Sequence, residues 1–86
     1  MRNNLKNIKI SKNEFRIKLN LVLYPEEYIL KTAKKFSDIC SFNIIENTEE
    51  ENAITISLKP KDKSIDVKYA GYEFMNHVLS EIKNRA

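Results

Sequence analysis

Between Glu14 and Tyr24, the apolar residues Phe15, Ile17, Leu19, Leu21 and Leu23 occupy every second position. Successive side chains of a strand point to opposite faces, so this alternation predicts a strand with one buried face. Arg16, Lys18 and Asn20 then point the other way, and that face turns apolar only at Val22 and Tyr24. A strand with one apolar face is stable only when a second layer covers it. The remainder of the chain has to supply that layer.

Two segments have the spacing to do so. Pro25 followed by Glu26 and Glu27 predicts a helix start, because proline fits the first turn and acids complement the positive end of the helix dipole. Ile29, Ala33, Phe36 and Cys40 then fall on one face, flanked by Leu30 and Ile39, and the helix is expected to run to about Ile39 or Cys40. Near the C-terminus, Ser64 with Asp66 can open a second helix. Tyr72, Phe74, Met75, Val78, Leu79 and Ile82 give it helical spacing, with Met75 read as a core filler. Gly71 inside that helix costs about 1 kcal/mol of propensity relative to alanine. Close approach of the Ala70-Gly71 pair to a neighbouring element would explain it.

Between the helices, residues 41–46 and 53–59 read as two strands, the second alternating through Ile54, Ile56 and Leu58. The polar loop from Asn47 to Asn52 joins them as an antiparallel hairpin whose three glutamates form a solvated tip. The expected fold is α+β in the order β-α-β-β-α, a two-layer sandwich with a three-stranded sheet and two helices on one face. The other sheet face, with Arg16, Lys18, Asn20, Thr55, Ser57 and Lys59, is expected to be bare. Residues 1–12 are either a flexible arm or a short extra strand through Ile8 and Ile10, turning back at Lys12-Asn13 without the glycine such turns favour.

At 86 residues the chain has room for a single domain, and 42% hydrophobic residues with one glycine and two prolines argue for a folded one. No apolar run approaches the roughly 20 residues of a membrane helix, and the start lacks a signal-peptide core, so a cytoplasmic location is expected. Cys40 is the one cysteine and reads as a small buried hydrophobe; His77, the one histidine, has no second ligand at metal spacing. The net charge of +3 is unevenly spread: residues 1–24 carry six bases against Glu14, residues 25–52 three bases against seven acids, and the rest six against four. The basic first segment, with Arg16 and Lys18, could meet an acidic partner or could guard a strand edge against aggregation.

No catalytic constellation is legible. A phosphate loop needs several glycines, zinc-protease motifs need paired histidines, and no two acids converge on a shared pocket. No catalytic, cofactor-binding or metal-ligating residue is therefore expected, and the chain reads as a binding protein rather than an enzyme. A small nucleic-acid-binding module is an alternative, with Lys59, Lys61 and Lys63 as phosphate contacts. It is the weaker one, since a Gly-x-x-Gly clamp is missing and Phe15 and Phe42 fall on the core face rather than on an exposed stacking platform. A homodimer joined through the bare sheet face is a third reading.

The segment Ala70-Gly71-Tyr72-Glu73-Phe74-Met75-Asn76-His77-Val78-Leu79 resembles the last helix of HxsD-type proteins of His-Xaa-Ser peptide-maturation systems. Leu23-Tyr24-Pro25 and Ala33-Lys34-Lys35-Phe36 are similar to that family's strand and proline-led helix. Residues 80–84 lack the Leu-Arg pair of the family pattern. The resemblance implies a small accessory protein working with a radical SAM enzyme and its precursor peptide, without catalysing the reaction itself. A physical role that suits the expected fold is to hold the peptide or the enzyme by adding a strand to an open sheet edge. Tyr72 and Asn76 on the final helix, together with Arg16, Lys18 and Asn20 on the first strand, are the candidate partner contacts.

Overall fold

A computed structural model describes residues 7–84. Its elements are β1 (Ile8–Ile10), β2 (Phe15–Asn20), α1 (Glu26–Lys35), β3 (Cys40–Thr48), a 3₁₀ turn (Glu49–Glu51), β4 (Ala53–Pro60) and α2 (Val67–Asn84). The class is α+β as expected, but the sheet has four strands rather than three, in the order β1-β2-β4-β3, with every neighbouring pair antiparallel. The added strand is the option left open at Ile8 and Ile10. It pairs Ile8 with Ile17 and Ile10 with Phe15, and the hairpin closes on a Ser11 N–H to Glu14 carbonyl bond of 2.9 Å. Neither Lys12 nor Asn13 has positive φ, so the turn is not one of the left-handed types that match strand twist. That agrees with a pairing of only three residues. The first six residues of the expected arm, with Arg2 and Lys6, lie outside the described ones.

Because β4 sits between β2 and β3, those two strands run parallel to each other and α1 carries the chain across, a split βαβ unit. β4 is the centre of the sheet, and Ile54, Ile56 and Leu58 are fully buried under the helices. β2 adds Phe15, Ile17 and Leu19 to the same face. From α1 come Tyr28, Ile29, Thr32 and Ala33, and Phe36 follows just past its end; Thr32 is polar yet satisfied, its hydroxyl donating to the Tyr28 carbonyl at 2.8 Å. α2 contributes Ala70, Gly71, Phe74 and Val78. Phe74 sets its ring edge-on to Phe36 (centroids 5.5 Å apart) and stacks on Phe42 (6.1 Å), joining both helices to β3.

The ends of β2 and α1 differ from expectation, whereas α2 opens at the expected Asp66. β2 ends at Asn20 because the Asn20 side-chain carbonyl accepts the N–H groups of Val22 (2.8 Å) and Leu23 (3.3 Å), folding residues 21–24 into a turn. α1 stops at Lys35, and Cys40 opens β3 instead of ending the helix, while keeping its expected place in the core. Asp66 starts α2 by accepting the Lys68 N–H at 3.1 Å.

Gly71 has the packing role its position suggested. A Cβ there would overlap the ring of Phe15, which is itself 1% exposed. The absent side chain lets α2 lie directly on β2.

Candidate strand-docking edge and its groove

Of the two sheet edges, β1 offers three residues and β3 nine. Among the described residues β3 pairs with β4 alone. Its hydrogen-bonding phase follows from the Lys61 N–H to Ile39 carbonyl bond of 2.8 Å. In an antiparallel pair, residues alternate between bonding to the neighbour and facing away. Ser41 and Asn43 therefore bond to β4, whereas the backbone groups of Phe42 and Ile44 face outward along the edge. A bulge follows, where Ile45 and Glu46 together oppose Thr55. Such a bulge limits pairing beyond it, which leaves the stretch from Ser41 to Ile44 as the flat, open part of the edge.

The side chains at this edge are unusually apolar for a rim position. Ile44, paired with the buried Ile56, is 43% exposed, and Ile45 in the bulge is 47% exposed. On the helix side, the edge borders a shallow groove of about 690 Å³ between α1 and β3. Leu30, Ala33, Cys40 and Phe42 form its apolar lining, and Lys34 and Lys61 stand on its rim. Lys61 is held in place by donating to the Ser37 carbonyl at 2.6 Å. A strand added to β3 would direct alternate side chains toward this groove and the others beside Ser41 and Asn43.

The residues expected from sequence to contact a partner are not brought together. Arg16, Lys18 and Asn20 lie on the open sheet face, and Tyr72 and Asn76 on the helix layer at the other side. Nor is the open face bare. The Glu14 carboxylate accepts from Arg16 Nη2 at 3.0 Å and from the Ser57 hydroxyl, and Ser57 is 1% exposed, which corrects its placement on a free surface. These two hydrogen bonds, Ser57 first, hold the Glu14 carboxyl below its ordinary range. Lys18 pairs with Glu51, and Asn20 is consumed by its turn. Tyr72 sets its ring edge-on to Phe15 at 5.7 Å, whereas Asn76 is exposed on α2.

A second concavity, of about 750 Å³, lies between the β1–β2 turn and the β4–α2 loop. It is bordered by Lys12, Lys59, Lys61 and Lys63 with Asp62 among them, and Lys61 is common to it and to the groove. Among the described residues no group of three or more His, Cys, Asp or Glu side chains could hold a metal ion. Burial raises the Cys40 thiol above its ordinary pKa, and the His77 ring packs edge-on to Phe36 at 5.1 Å. No helix among the described residues is long and apolar enough to cross a membrane.

Sequence reasoning placed Leu30 at the flank of its helix and Phe42 on the core face, but did not join them into one site. The Ile44-Ile45 pair was the available signal, since successive strand residues point to opposite faces and two apolar ones leave an apolar side chain on each. Comparisons of the chain with family models, with curated proteins and with solved structures give no match.

Proposed function

We propose that this chain is a non-catalytic peptide-binding domain that captures an extended segment on the β3 edge. The observation that carries the reading is the juxtaposition of the outward backbone of Phe42 and Ile44 with the groove lined by Leu30, Ala33 and Phe42. Backbone hydrogen bonds would supply affinity, and the groove would select alternate side chains. In this reading any chemistry belongs to the partner. The resemblance to HxsD-type proteins gives that partner a class: the precursor peptide of a ribosomal peptide-modification system, or an exposed strand of its radical SAM enzyme, both met in the cytoplasm.

The test is co-purification of the tagged chain with the products of genes adjacent to its own, for the wild type and for Ile44→Pro. Proline at position 44 removes an outward N–H that no strand among the described residues uses. Capture of a radical SAM enzyme or a short peptide by the wild type, lost in an Ile44→Pro variant that retains its helical circular dichroism, supports the reading. Equal capture by both, or by neither, overturns it. The four lysines around the second concavity favour an acidic partner as the other reading, and RNA retained only at low salt would support that one instead.

A further inference from the structure

The edge is electrically polarised along its length. At the Cys40 end, Lys34 and Lys61 line the groove, and Lys61 leads into the concavity that Lys12, Lys59 and Lys63 also border. At the other end, Glu46 lies on β3 itself and Glu49 and Glu50 follow on the 3₁₀ turn. Lys18 pairs with Glu51. Glu46, Glu49 and Glu50 form no ion pair with any of the described residues. From Ser41 to Glu46 the strand spans roughly 17 Å, at about 3.4 Å per residue. Charges further apart than the Debye length, about 8 Å at physiological salt, are largely screened from each other. The two poles therefore act on a docked segment separately instead of cancelling.

Resting on the strand-docking reading, we propose that the segment β3 accepts is a dipolar peptide. It has an acidic end against Lys34 and Lys61, a basic end against Glu46, Glu49 and Glu50, and between them alternating residues whose apolar members face Leu30, Ala33 and Phe42. The apolar positions match the groove, and the polar ones lie beside Ser41 and Asn43. A uniformly charged segment would be attracted at one end and repelled at the other, so the poles select against it.

The test uses two synthetic peptides of identical composition and the full chain, followed by backbone amide NMR. One peptide has glutamates at one end, alternating valine and threonine in the middle and lysines at the other end. The second has the same charges mixed at both ends. The block-charged peptide is expected to bind about three- to tenfold more tightly at low salt, as a few exposed ion pairs allow. It should shift the amides of Phe42 and Ile44, and its advantage should shrink in high salt and in a Lys34→Glu variant. Equal binding of both peptides at β3 overturns the dipolar proposal and leaves strand docking standing. Binding of neither, or shifts confined to residues around Lys59 and Lys63, overturns strand docking itself.

Discussion

Two side chains show how single residues set this fold. Gly71→Ala should gain about 1 kcal/mol of helix propensity and lose more, because the new methyl group meets the buried Phe15 ring. Overpacking of a fixed core typically costs about 1–3 kcal/mol. We expect a lower urea midpoint for Gly71→Ala and a smaller penalty when it is introduced alongside Phe15→Leu, which removes the obstructing ring. Equal penalties in both backgrounds would mean that Phe15 is not the obstacle. Glu14 gives a pH signature. Its carboxyl is held below the ordinary value of 4.5 by the Ser57 and Arg16 hydrogen bonds, so the folded state binds that proton less readily than the unfolded one. Its contribution is then complete above that ordinary value and disappears as pH falls through the lower, folded one. The stability gap between wild type and Glu14→Gln should therefore be widest near neutrality and close in acid, as measured by urea titration at several pH values.

At the scale of elements, periodicity carried most of what could be read. The alternation in β2 and β4 and the 3.6-residue spacing in α1 and α2 located the strands, the helices and their covered faces, because each is a local pattern. Two features were not local. Asn20 ends β2 by capping its own turn, although Leu21 and Leu23 continue the apolar alternation, since a side-chain acceptor aimed at two backbone N–H groups outcompetes the extended form. That β3 is an outer strand could not be read either, because which strand lies outside depends on β4 inserting between β2 and β3. The edge assignment makes a sharp comparison possible between neighbouring residues. Asn43→Pro removes a bond to β4 and should cost at least about 1 kcal/mol more than Ile44→Pro, where the lost N–H faces outward. Thermal melts of the two variants decide it. Similar melting temperatures would place the outward backbone elsewhere.

For the whole molecule, the open question of the first residues becomes one about what the fourth strand does. The core cluster is assembled from β2, α1, β3, β4 and α2, with Ile8 only packed against its margin. β1 is thus dispensable to the core and useful to the sheet, because it covers the backbone of Arg16 and Lys18 on the side away from β4. Lys9 is paired with Arg16, and since the Ser11 to Glu14 and Lys18 to Asn7 bonds fix the alternation of this hairpin, proline at position 9 would remove a bond to β2. Lys9→Pro should detach β1 at a cost of about 1–2 kcal/mol, the scale of one ladder bond and part of an isoleucine's burial. The more informative consequence is association. With β1 gone, β2 becomes an open edge in a chain whose β3 is already open, and two unprotected edges on one sheet allow copies to add end to end. Sedimentation equilibrium should show concentration-dependent self-association of Lys9→Pro, beyond any shown by the wild type. If the variant remains as monodisperse as the wild type, Arg16 and Lys18 on β2 repel well enough without a covering strand. If it fails to fold, β1 belongs to the core and not to its margin.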